Sequence, residues 1–197
     1  MKRHFIPLAL CLAVSASAFA INVNVKRGDR IGVLTISERH GDDAERRLAE
    51  AVQTYLRQEL SDRGFDAFRT GETHDELRRD DRANADYYVE IVSSHGDANL
   101  MGAVGVGGGP IGAEIGVVVA HVAAEMRLYD GRTLELIDRF DLQQRRTTVA
   151  PTGIGIGSRP FFGWIALPFV QRAQYRAAAH DVARDAAERI AAGTHGR

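Results

Sequence analysis

The sequence predicts an α/β (α+β) sandwich: a mixed sheet with a long antiparallel hairpin and helices mainly on one face. Three observations carry this. Ile31-Gly32-Val33-Leu34-Thr35-Ile36 is short, branched and apolar on both faces, as a buried strand is, and an amphipathic helical pattern follows it. Two long alternating runs flank Asp130-Gly131, a strong tight-turn signal. The element order is strand, helix, strand, short helix, strand, long hairpin, helix, which lacks the regular βαβ alternation of a doubly wound nucleotide fold.

The elements follow in chain order. Asp42 or Asp43 caps the first helix, and Leu48, Val52, Tyr55 or Leu56, and Leu60 form its apolar stripe. Gly64 ends it as a left-handed cap, with Phe65 folding back on Leu60. Phe65 to Phe68 reads as a short strand. Thr73 and Glu76 have capping-box spacing, so a short helix runs to about Ala83. Tyr87, Val89 and Ile91 alternate with Tyr88, Glu90 and Val92, a strand signature. Val118, Ala120, Val122, Ala124, Met126 and Leu128 mark one face of the next strand, and His121, Glu125, Arg127 and Tyr129 share the other. Leu134, Leu136, Phe140 and Leu142 continue on the returning strand. Asp138 falls in phase with these apolar residues, so either a bulge shifts the register there or Asp138 pairs with an arginine. Pro168 opens the final helix, whose stripe is Tyr175, Ala178, Val182, Ala186 and Ile190. Asp181 with Arg184, and Asp185 with Arg189, read as ordinary exposed pairs.

Residues 1–20 read as a secretory signal peptide: Lys2 and Arg3, an apolar run from Phe5 to Val14, and Ala18-Phe19-Ala20 as the cleavage site. The expected product is a single domain, 21–197, that is periplasmic or secreted. The sole cysteine, Cys11, lies in the leader, and Leu10 before it argues against a lipid anchor. The mature chain therefore has no disulfide, thiolate metal site or cysteine nucleophile. Setting Lys2 and Arg3 aside leaves 23 of the 25 basic residues against 26 acidic ones. With no basic face and with export from the cytoplasm, nucleic-acid binding is excluded.

The chain resembles the periplasmic accessory-domain group of the LpoB, CsgG and TolB N-terminal type. The resemblance rests on "RIGVLTI" with the helix ending "LRQELSDRGFDAFR", on "ANADYYVEIVSS", and on "AEMRLYDGRTLELIDRF". The group's usual glycine after the "ADYYV" strand is displaced here to Gly96, and no lipobox is present. The resemblance implies an envelope accessory protein that binds another envelope protein: a cell-wall synthase, a Tol-type partner or an outer-membrane partner. It also implies an alternative, an oligomeric outer-membrane secretion component that inserts hairpins, as CsgG-like proteins do.

Chemistry for catalysis is sparse. His40, His74, His95, His121 and His180 lie on separate elements. His95 and Asp97 could set two ligands on one side, but no second cluster has ligand spacing. No Gly-x-Ser-x-Gly elbow occurs, and "GVGGGPIG" lacks the Gly-Lys-Ser/Thr of a phosphate loop. The expectation is no enzyme, no metal and no cofactor.

Two glycine-rich insertions, 102–116 and 153–163, remain. Leu100 to Ala124 holds one formal charge, Glu114, but seven glycines and Pro110 make it a poor membrane helix. As strands, both stretches have a glycine face and a branched apolar face. Three readings stand: loops, close backbone packing, or membrane hairpins, which need roughly nine to eleven residues per strand. The predicted partner-binding residues are Phe161, Phe162 and Trp164, with Gly108, Pro110 and Ile111 as a second contact. Peripheral membrane contact and oligomerisation are both compatible with this surface.

Overall fold

The computed structural model describes residues 25–36, 43–80, 84–106, 111–156, 159–160 and 163–193. The elements are β1 (Arg30–Val33), α1 (Asp43–Asp62), β2 (Asp66–Arg69), α2 (His74–Asp80), β3 (Tyr87–Val106), β4 (Ile111–Asp130), β5 (Leu136–Ile156), β6 (Arg159–Pro160) and α3 (Gly163–Ala191). They build one open mixed sheet, ordered β2-β1-β3-β4-β5-β6. β1 lies parallel to β2 and β3, and every later pairing is antiparallel.

Alternation along β4 sets the two faces. Val118, Ala120, Val122, Ala124, Met126 and Leu128 are buried against α1 and α3, together with Ile31 and Val33 of β1 and Val89 and Ile91 of β3. The expected stripe of α1 (Leu48, Val52, Leu56, Leu60) joins this core. So does α3, through Ala178, Ala179, Val182, Ala183, Ala186, Ala187 and Ile190, a wider face than the predicted stripe. Its alanines let the helix lie close to the sheet, where larger side chains would hold it off. α2 sits on the other face at one end, with Leu34, Leu77, Tyr88 and Tyr129 as a small second core. The helices are thus mainly on one face, and among the described residues nothing else covers the opposite one.

Local signals hold where the chemistry is local. Gly64 has φ +89° and Phe65 donates to the Leu60 carbonyl at 3.2 Å, the expected left-handed cap. Thr73 N–H donates to Glu76 Oε2 at 2.7 Å and Glu76 N–H to Thr73 Oγ1 at 3.4 Å, closing the capping box. Asp138 does both things foreseen for it. Leu128 pairs with Asp138 but Tyr129 with Leu136, so Ile137 is the bulged residue, and Asp138 accepts from Arg189 at 3.3 Å.

Three expectations are corrected. The hairpin turn is not a two-residue turn: Asp130 Oδ1 accepts the N–H groups of Arg132 and Thr133 at 2.8 Å each, and Leu134 takes φ +55° to close a longer loop. Gly131 is needed for proximity, since its N–H bonds the Asp86 carbonyl at 2.8 Å and a Cβ there would stand 1.9 Å from the Ala85 carbonyl oxygen. α3 starts at Gly163, so Pro168 lies inside it, where its ring removes the bond to the Trp164 carbonyl. Asp181 is no exposed partner of Arg184. It is buried and held by both guanidinium nitrogens of Arg146 on β5, with Arg184 a third contact at 3.4 Å. Asp185 likewise accepts from Gln144, and Arg189 turns to Asp138 and lies over the Phe140 ring at 5.0 Å. Of the readings open for the glycine stretches, strand holds for the described residues of 102–116 and for 153–156 and 159–160, while Gly163 opens α3. β3 and β4 pair out to Val106 and Ala113, and β4 pairs with β5 out to Ile111 and Ile156.

Gly96 packs beneath the ring of Tyr175, where a Cβ would come within 2.6 Å. Gly102 and Gly105 have open space where a Cβ would stand, so packing does not require glycine there. Gly131→Ala is expected to cost about 3 kcal/mol or more in urea unfolding. Gly105→Ala, in the same assay, is expected to be neutral or to stabilise by about 0.5 kcal/mol. Equal losses at the two positions would contradict the close approach at Gly131.

The Arg146 guanidinium beside Asp181 holds that carboxyl below the usual aspartate range, and the pair raises the Arg146 value in turn. A depressed carboxylate stabilises the fold above the unfolded pKa of about 4, and that stability is lost as pH falls through the folded value. Arg146→Met should cost about 1–3 kcal/mol at neutral pH, because it leaves the buried Asp181 carboxylate with Arg184 alone of its two arginines. It should also flatten the acid limb of stability below about pH 5, read as urea midpoints across pH.

Candidate functional site

The open face is built by the odd-numbered residues of β4. Val119, His121, Ala123, Glu125 and Arg127 are half-buried on it. The register sets each beside its neighbours: Asp97, His121 and Arg145 in one row, His95, Ala123 and Gln143 in the next, Ser93, Glu125 and Asp141 in the one after. Glu125 accepts from Arg127 at 3.2 Å and forms an ion pair with Arg139 at 3.1 Å, so one carboxylate holds two guanidinium groups. The face that alternation gave to His121, Glu125 and Arg127 is therefore charged and internally braced.

Where this face meets α2, a cleft of about 660 Å³ opens. Thr73, His74 and Arg78 line it from α2 and its cap, Glu90 from β3, Arg127 and Tyr129 from β4, and Thr133 to Leu136 from the turn. The Tyr129 hydroxyl donates to Glu90 Oε2 at 2.6 Å, and the His74 ring stacks on Tyr129 with centroids 4.2 Å apart. Burial, then the bond to Glu90, pushes the Tyr129 phenol up to about 12, while Arg127 pulls the other way. The hydrogen bond to Tyr129 raises the Arg127 guanidinium further. Tyr129 is thus a neutral hydroxyl at physiological pH. It is committed to Glu90, and Arg127 is shared between Tyr129 and Glu125. Such groups present a fixed pattern of donors and acceptors.

The predicted contact residues fall differently. Phe161, Phe162, Gly108 and Pro110 lie outside the described residues. Trp164 stands in the first turn of α3, and Ile111 opens β4 opposite Ile156. His95 turns from the sheet to Glu45, at 3.2 Å, and Asp97 accepts from Asn99 at 2.6 Å. Asp97 and His121 do face one another across the strands, but among the described residues no three His, Cys, Asp or Glu side chains gather as a metal site. The sequence reading missed the meeting of His74 with Tyr129. The signal available was Gly131, whose contact with Asp86 folds the hairpin turn back beside the start of β3.

Tyr129→Phe removes the only hydroxyl bonded to Glu90 among the described residues. It is expected to cost about 1–2 kcal/mol. It should also abolish the phenolate step near pH 12 in an ultraviolet titration. A raised phenol pKa stabilises the fold up to the unfolded value of 10.0, and that stability is lost as pH rises through about 12. An unchanged titration would contradict the bond to Glu90.

No family model and no curated protein matches the chain. Solved structures similar to it include a minor lipoprotein from Acinetobacter baumannii, 11% identical over 86% of this chain and 96% of that one, with TM-score 0.49. The PelC dodecamer from Paraburkholderia phytofirmans is 12% identical over 84% and 90%, with TM-score 0.37. Uncharacterized lipoprotein B from Nitrosomonas europaea is 15% identical over 87% and 88%, with TM-score 0.39. Two of these three are bacterial lipoproteins by name, and the likeness extends no further than that.

Proposed function

We propose that this chain is an exported, non-catalytic accessory protein of the cell envelope that binds another envelope protein through the open face of its sheet. The carrying observation is that face itself. One side of the sheet is sealed by α1 and α3, while the other keeps its charged rows in water apart from the end under α2. The ionisable groups there are tied to one another, Tyr129 to Glu90 and Glu125 to two arginines. That arrangement supports recognition by matching charge and hydrogen bonds, which favours specificity. It leaves no poised acid, base or nucleophile among these residues. Export is supported by the leader pattern of Lys2, Arg3, the apolar run and Ala18-Phe19-Ala20. The partner classes are those the resemblance implies: a cell-wall synthase, a Tol-type protein or an outer-membrane protein.

The test is site-specific photo-crosslinking in the producing cell, with the probe at Ala123 or Gln143 on the open face and at Arg57 on α1 as control. One dominant envelope-protein adduct is expected from the open-face positions only. Arg139→Glu should abolish it while moving the melting temperature by less than about 2 °C, as an exposed charge does. Equal labelling from Arg57, or adducts indifferent to Arg139→Glu, would overturn the proposal.

A further inference from the structure

The far end of the sheet is chemically unlike the rest. From Ala98 to Ala124 the only Asp, Glu, Lys or Arg is Glu114, and from Thr147 to Gln171 the only one is Arg159, which pairs with Ile156 in β6. The fold gathers these stretches. Ala113 to Val119 pairs with β3 on one side, and Ile111 to Val119 with Thr147 to Ile156 of β5 on the other. Gln171 donates to the Ala98 carbonyl at 3.0 Å and Arg189 reaches Asp138, so α3 runs from this end toward the body and its first turns belong to it. Val106 stands eight residues beyond Ala98, roughly 26 Å at the rise of a strand.

This end is apolar on both sides. Val104 and Val149, 69% and 68% exposed, share the open face with Ile115 and Val117. Leu100 lies on the opposite face in the row of Val118, and Phe169 of α3 is 67% exposed. A docking protein covers one patch, whereas apolar surface on both sides suits a medium that surrounds the end.

A collar of arginines bounds it. Arg145 and Arg146 stand in the rows of His121 and Ala120. Gln171 brings Arg172 to the same level, and Arg176 lies about one turn on. Arg146 is held by Asp181, but Arg145, Arg172 and Arg176 are exposed and have no partner among the described residues. The one carboxylate facing outward in these rows is Asp97, which Asn99 caps. An apolar end whose only charged residues are Glu114 and Arg159, with a cationic collar behind it, matches an anionic lipid surface: upper acyl region at the apolar side chains, phosphates at the arginines.

We propose that this end docks on the surface of an anionic phospholipid bilayer, with Val104, Ile115, Val149 and Phe169 in the headgroup and upper acyl region and Arg145, Arg172 and Arg176 on lipid phosphates. The attachment is interfacial. Beyond Val89 the outer edge of β3 has no neighbouring strand among the described residues, and an open edge carries unpaired N–H and C=O groups that hydrocarbon does not tolerate. Glu114 limits the depth in the same way. Apart from Arg145, which stands in the row of His121 on the open face, this proposal rests on residues other than those that test the partner surface, Ala123, Arg139 and Gln143, so either can fail alone.

The test is flotation of the full chain with vesicles of phosphatidylglycerol and phosphatidylcholine at 3:7, and with pure phosphatidylcholine. Because the apolar leader at 5–14 can itself hold lipid, the readout is the difference between chains altered only at this end. Val104→Asp with Val149→Asp should lower the bound fraction roughly ten-fold on both vesicles. Arg145→Gln, Arg172→Gln and Arg176→Gln should each lower it about five-fold on the anionic vesicles alone, less so in high salt. All variants are checked for an unchanged melting temperature. Equal flotation of parent and variants would overturn the proposal. So would vesicle-free self-association that Val104→Asp with Val149→Asp abolishes, which would assign the end to a second copy.

Discussion

The structure depends on the strict two-residue alternation of β4. This strand is 20 residues long and lies between two other long strands, so any slip would turn a whole column of side chains to the wrong face. One column, Val118 to Leu128, is small and apolar and receives the alanine face of α3 and the leucines of α1. The other, Val119 to Tyr129, mixes imidazole, carboxylate, guanidinium and phenol. The core, the charged face and the cleft under α2 are consequences of one periodicity read from opposite sides. The register is pinned by bulges at defined points: between Ile91 and Ser93, between Leu100 and Gly102, and at Ile137.

Polar groups reinforce that register from the helix side. β5 does not continue the apolar column. It offers Gln144 and Arg146, and α3 answers with Asp185 and Asp181. These bonds span 41 and 35 residues and fix which turn of the helix meets which row of the sheet. An alanine-rich helix face has little shape of its own, and directional bonds of this kind select one docking among several of similar packing. Gln53 plays a comparable part in α1, donating to the Leu34 carbonyl at 2.6 Å just beyond the end of β1.

Much of the fold was legible because its causes are local. The stripe of α1, the left-handed Gly64, the Thr73 box and the alternation of β4 each fit within a dozen residues. The misread features have partners far away in the chain. Asp181 looks like half of an i,i+3 pair until Arg146 arrives from β5. Gly131 looks like a turn former until Asp86 is placed beside it. The glycine stretches left loop and strand both open, and their described parts at 102–106, 111–116 and 153–156 are strand because each finds a long neighbour to pair with. The candidate site divides in the same way. His121, Glu125, Arg127 and Tyr129 were grouped correctly by parity. The stacking of His74 on Tyr129 depends on where α2 settles, which no short window of sequence encodes.

The polar inner side of β5 has a consequence for the chain before it is complete. α3 follows the sheet in the sequence, so the hairpins of the sheet exist as covalent neighbours before this helix is present to cover them. Among the described residues β5 is an edge along most of its length, pairing with β6 only at Gly155 and Ile156. An edge strand with an apolar inner column would be a template for another chain during that interval. Gln144 and Arg146 interrupt the column between Leu142 and Ala150 with an amide and a charge. The same residues that later anchor the helix act beforehand as gatekeepers against aggregation.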